Sequence, residues 1–125
     1  MFYKYELIIP ASTPKITPEE LEIKLPFGVI HHVEIYFPPG CEGEAKAQII
    51  HNEFQLFPSN PGKWFAGDEF PIKFNEDYRL PENFNLLRLK GYNDDTVNSH
   101  TVTFRIGVKG EWRLYLEGLG QEVEI

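Results

Sequence analysis

Four histidines, one cysteine and a surplus of carboxylates are the groups in this chain whose types could do chemistry. His31 and His32 are adjacent in a segment of strand-like alternation. A strand points neighbouring side chains to opposite faces, so the two are not expected to share a metal ion within one chain. No cysteine or carboxylate stands at metal-ligand spacing from them, and they are expected, with His51 and His100, on the surface or in turns. An inter-subunit site on a symmetry axis would need one histidine from each copy, which the sequence leaves open. Cys41 lies between Gly40 and Glu42, and an acidic neighbour raises a thiol pKa and disfavours the nucleophilic thiolate. There is no Gly-x-Ser-x-Gly, no Ser/His/Asp pattern and no glycine loop of the phosphate-cradling kind. Glu19-Glu20, Glu42/Glu44 and Asp94-Asp95 read as solvated turns, and paired-carboxylate catalysis depends on a separation in space. The expectation is a protein with no catalytic residue, no metal and no cofactor.

Two loops hold the remaining chemistry. Asn93-Asp94-Asp95-Thr96-Val97-Asn98 offers several oxygen ligands, but lacks the Asp-x-Asp-x-Asp-Gly spacing of a calcium loop. Asn and Asp also tolerate left-handed backbone and cap their own turns, so a plain turn is expected. Ser59 to Glu69 places Trp64 and Phe65 after a tight turn and before an acidic pair. Aromatics at a loop tip stack on sugars or anchor partner proteins. They also cover the end of a core. Adjacent strand positions do not both point inward, so one exposed aromatic is expected, with Tyr92 as a further candidate contact.

The elements that must position these residues are strands. Ten prolines punctuate the chain, and before residue 81 the only gap long enough for a helix lies between Pro39 and Pro58. There Ala45, Ala47 and Ile49 alternate with Lys46 and Gln48, so a period of two wins. Alternation predicts strands over 3–9, 21–25 (ending at Pro26), 29–37, 44–51, 54–57, 70–74, 86–92, 100–108 and 112–116. Thr17-Pro18-Glu19-Glu20 satisfies helix-start rules, yet Leu21, Ile23 and Leu25 then alternate, and a strand is preferred. In the last long run Val102, Phe104, Ile106 and Val108 share a face, and with 86–92 they predict a half-buried hairpin. The result is an all-β fold: one antiparallel, jelly-roll-like β-sandwich of about eight or nine short strands. It spans residues 1–117. Residues 118–125 form a tail whose alternating Val123 and Ile125 suit an interaction arm on a neighbour's sheet edge.

Composition narrows the partners. A net charge of −7 without a run of Lys or Arg argues against nucleic acid and against an anionic membrane surface. A single cysteine forms no internal disulfide and leans towards a reducing compartment. The first residues lack a basic segment leading into an apolar run, so no signal peptide or spanning segment is expected. The chain is expected to fold in a cytoplasm.

The order of pieces is also familiar. Gly28-Val29-Ile30-His31-His32-Val33-Glu34-Ile35-Tyr36-Phe37-Pro38-Pro39-Gly40 precedes a strand with Gln55-Leu56-Phe57-Pro58-Ser59-Asn60-Pro61. The Trp64-Phe65-Ala66 corner follows, then Gly91-Tyr92-Asn93-Asp94-Asp95-Thr96 with His100-Thr101-Val102-Thr103. Over roughly residues 6–108 this resembles a group of small uncharacterised proteins of tailed double-stranded DNA phages. The resemblance implies a virion component: a non-enzymatic protein, made in the host cytoplasm, that decorates the capsid or a tail as a symmetric oligomer, a trimer being expected. Its partners would be copies of itself and the major capsid or tail protein. The alternative from the residues themselves is a carbohydrate-binding β-sandwich, with Trp64, Phe65 or Tyr92 stacking on a cell-surface glycan.

Overall fold

The computed structural model describes residues 1–110, and these are all-β. One open antiparallel sheet contains seven strands: β1 (Phe2–Ile9), β2 (Glu19–Tyr36), β3 (Ala45–His51), β4 (Phe54–Phe57), β5 (Phe65–Ala66), β6 (Pro71–Asn93) and β7 (His100–Lys109). Their order is β1-β7-β2-β6-β3-β4, with β5 paired to β3. The expected strand over 112–116 and the tail with Val123 and Ile125 lie outside the described residues.

Two pairs of expected strands prove continuous. Residues 21–25 and 29–37 join as β2, and 70–74 and 86–92 join as β6. Pro26 therefore does not end a strand. The reason is where it sits: over residues 19–26 β2 pairs with β6 alone, and β7 meets only residues 29–36. Pro71 and Pro81 occupy the half of β6 that pairs with β2 alone, whereas β3 pairs with residues 87–93. A strand with one neighbour tolerates a missing N–H that a central strand does not. Thr17-Pro18 likewise starts no helix; Thr17 N–H closes a turn on Pro14 O at 3.2 Å, and β2 follows.

The predicted hairpin of 86–92 with 100–108 does not form either. β6 and β7 are not neighbours, because β2 lies between them. Alternation identified both strands correctly but says nothing about their partner, and β7 instead pairs with β1, from the other end of the described chain.

β2 and β6 bend together. Their register jumps between Pro26 and Gly28, which face Phe84 and Leu80, so Pro81-Glu82-Asn83 bulges out opposite Phe27. The bulge shifts which positions of β6 face inward, from Ile72, Phe74, Tyr78 and Leu80 to Asn85, Leu87, Leu89, Gly91 and Asn93. Asn85 fixes the bend. Its side chain is buried, accepts from Glu82 N–H at 3.1 Å, and donates to Glu82 O at 2.8 Å and Leu25 O at 3.2 Å.

Beyond the bend, the two halves of the sheet bring their inner faces together. A methyl group at Gly91 on β6 would collide with Ile9 on β1. His51 on β3 reaches Tyr78 on the other half of β6, and Phe57 on β4 meets Phe74. The core between them includes Leu25, Ile30, Val33, Ile35, Phe37, Ile49, Leu87, Leu89, Phe104 and Ile106, each fully buried. Each such side chain contributes roughly 1.5–3 kcal/mol of transfer free energy, so the bend gathers most of the fold's driving force.

Candidate functional site

Three places collect the residues that could act: the β6–β7 connection, the β3–β5 end, and the free edge at β1. The connection is a turn built from side chains. Asp95 Oδ1 accepts from the N–H groups of Val97 at 2.9 Å and Asn98 at 3.1 Å, and Oδ2 meets His100 Nε2 at 2.9 Å. Those two backbone donors and then His100 hold the Asp95 carboxyl down to about 2. Asn93 accepts from Asp95 N–H and donates to Asn98 O at 2.9 Å and to Ile9 O and Pro10 O at 3.4 Å. Ser12 N–H bonds to Asp95 O, and Asn93 N–H to Thr13 O. The Asn and Asp side chains thus lock the crossover against the chain leaving β1. The expected turn is what forms, and the side-chain oxygens of Asn93 and Asp95 serve it.

The histidines are less superficial than expected. His100 and His51 are buried. His51 Nδ1 lies 2.5 Å from Tyr78 Oη, and burial lowers its pKa. His31 and His32 do not point to opposite faces. The register slips between Ile30 and His32, and the bulge turns both imidazoles to the outer face beside Phe2, with ring centroids 5.6 and 6.0 Å away. His32 also bonds Asn75 at 2.9 Å and Glu34 at 3.2 Å, and those bonds raise its pKa. Cys41 is wholly buried; burial first, then the carboxylates of Asp68 and Asp95, push its thiol up to about 11.

At the β3–β5 end Trp64 and Phe65 part company, as alternation requires. Both are half-buried. Trp64 packs edge-to-face on Tyr92 at 4.8 Å, on the outer side of β6. Phe65 turns inward, 5.8 Å from Phe74, and Phe74 is 5.1 Å from Phe57. These three rings, with Pro58, Ser59, Asn60 and Glu76, line an open cleft of about 200 Å³. Two glutamines fix its loop. Gln55 donates to Pro58 O, Asn60 O and Lys63 O and accepts from Gly62 N–H, and Gln48 donates to Lys63 O. Sequence reasoning reached Phe65 but missed Phe57, Phe74 and Glu76. They come from different strands, and only the bend places them together.

β1 is an outer strand of the sheet, and no other described strand pairs with its far side. Leu7 and Ile9 are buried, and Tyr3 and Tyr5 pack against the core. Phe2, Lys4, Glu6 and Ile8 face out, with Phe2 65% and Ile8 63% exposed. Neither the known protein families nor the curated proteins include a match to this chain.

Proposed function

We propose that this chain is a non-enzymatic structural protein of a tailed-phage virion, binding the capsid or tail lattice as a symmetric oligomer. The observation that carries the reading is the β1 edge: an eight-residue strand with exposed Phe2 and Ile8 and no described neighbour on one side. Monomeric β proteins blunt such edges, and a row of open N–H and C=O groups is a template for another chain. Some of the described groups that could do chemistry serve the fold. Asp95 and His100 hold a turn, and Cys41 is buried with its thiol pushed up. The sandwich-like form expected for such proteins is consistent with the inner faces meeting across the bend. Mass spectrometry of purified particles tests the reading. Stoichiometric chain in the particles is expected; chain confined to infected-cell extracts overturns it.

A second reading, a carbohydrate-binding module, is favoured by the aromatic end. A pocket with apolar walls and a few polar groups is the general form of a small-ligand site, and Ser59, Asn60 and Glu76 bring those groups to the cleft. Trp64 and Tyr92 present a second aromatic surface on the outer side. Trp64→Ala is expected to abolish glycan binding on the Trp64–Tyr92 surface while leaving the thermal midpoint within a few degrees. A blank glycan array with the unmodified protein removes this reading.

A further inference from the structure

The backbone of β1 defines which groups face the side that no described strand pairs with. Val108 N–H donates to Met1 O at 2.7 Å, and the Met1 ammonium donates to Val108 O at 2.9 Å. Bonded and non-bonded residue pairs alternate along an antiparallel ladder. With Phe2 opposite Gly107 and Tyr3 opposite Ile106, residues Tyr3, Tyr5, Leu7 and Ile9 bond to β7. The N–H and C=O of Phe2, Lys4, Glu6 and Ile8 therefore point to the open edge. The side chains of these same four residues are the exposed ones.

Those four residues form a self-complementary row. A second copy laid antiparallel along the edge, with Tyr5 opposite Tyr5, sets Lys4 against Glu6 and Phe2 against Ile8, each twice. Every one of these pairs joins residues whose backbone groups face the partner, so hydrogen bonding and side-chain matching select the same register. Sliding the partner by two residues in either direction keeps the backbone bonding but loses the side-chain match. With Lys4 opposite Lys4, or Glu6 opposite Glu6, like charges meet and the apolar residues face charges. Opposite charges and apolar residues paired across strands are stabilising, and like charges directly opposed are destabilising.

We propose that β1 pairs with β1 of a second copy, centred on Tyr5, joining two seven-stranded sheets into one continuous sheet about a two-fold axis. This rests on the assembly reading and names its partner and register, with a two-fold pair in place of the expected trimer. The contact is isologous, so it closes at two copies.

Sedimentation equilibrium of the full chain tests it. A monomer–dimer equilibrium is expected, weakened about tenfold or more by Lys4→Glu or Glu6→Lys alone. The double variant K4E/E6K restores opposite charges at both pairs and is expected to recover most of the wild-type affinity. Tyr5→Cys places two thiols at a non-bonded pair, where Cα atoms lie about 4.5 Å apart, within disulfide reach. Mild oxidation is expected to give a covalent dimer. The proposal is overturned if the chain stays monomeric, if the charge variants leave association unchanged, or if the double variant is as weak as the single ones. It is separable from the assembly reading. Chain that is stoichiometric in particles yet monomeric in solution removes only the β1 pairing. A charge-sensitive dimer absent from particles removes only the virion role.

Discussion

The Asp95 carboxylate ties the β6–β7 connection to the start of β7, through Val97, Asn98 and His100, and its titration links that connection to acid. Its pKa falls from an ordinary 3.8 to about 2, chiefly through the N–H groups of Val97 and Asn98. A carboxyl whose folded pKa is depressed contributes stability that is present above its unfolded pKa. That contribution is lost as the pH falls through the folded value. The expected outcome is a loss of stability between pH 4 and pH 2 that Asp95→Asn largely removes, read from urea midpoints at pH 7, 4, 3 and 2. Near neutrality two histidines oppose each other. His32, raised by Asn75 and then Glu34, contributes below about pH 6.5 and loses that contribution as pH rises through its folded pKa. His51, lowered by burial, contributes above about pH 6.5 and loses it as pH falls. Gly91 tests packing at the same scale. A Cβ there would overlap Ile9 and come within 3.1 Å of Leu7 Cδ2. Gly91→Ala is expected to destabilise by about 1–3 kcal/mol through overpacking, measured by chemical denaturation. No effect would mean that β1 and β6 do not meet as described.

At the scale of elements, the bend in β2 and β6 decides the architecture, and Asn85 holds it. Asn85→Ala leaves the Glu82 N–H and the carbonyls of Glu82 and Leu25 without their side-chain partner. A loss of about 1–3 kcal/mol is expected from denaturant melts, because the buried Leu25 carbonyl loses its side-chain partner and a stranded buried group costs more than the net value of its bond. The bend also explains what the sequence conveyed and what it withheld. Tyr3, Tyr5, Leu7 and Ile9, or Val102, Phe104 and Ile106, announce strands by period alone, since burial on one face depends only on local geometry. Pro26 misleads because its cost depends on whether a neighbour lies on its missing donor's side, a nonlocal fact. The same limit hides the β1–β7 pairing behind an apparent hairpin. The cleft was legible only in part for a like reason: Phe65 stood out beside Trp64, while Phe57 and Phe74 look like ordinary core alternation until the bend brings them together.

For the whole molecule, the sheet order predicts a graded resistance to opening. β7 has β1 on one side and β2 on the other, so its amides from Val102 to Ile106 are bonded within the sheet whichever way they point. Amide exchange follows the free energy of the opening that exposes each N–H. β7 and residues 33–35 of β2, flanked by β7 and β6, are expected to exchange most slowly. Within β1 the prediction is an alternation rather than a gradient. Tyr3, Tyr5 and Leu7 donate to β7 and are protected, while Lys4, Glu6 and Ile8 face the open edge and exchange near the rate of an unfolded chain in dilute solution. Raising the protein concentration protects the second set and leaves the first unchanged, because a partner's β1 reaches only the outward-facing groups. Residue-resolved exchange by NMR at two concentrations separates the possibilities. Uniform exchange along β1 would contradict the ladder inferred from the Met1–Val108 bonds. Protection of Lys4, Glu6 and Ile8 that does not depend on concentration would mean that the edge is already covered within one chain. Only the concentration-dependent pattern makes the edge a surface kept for assembly.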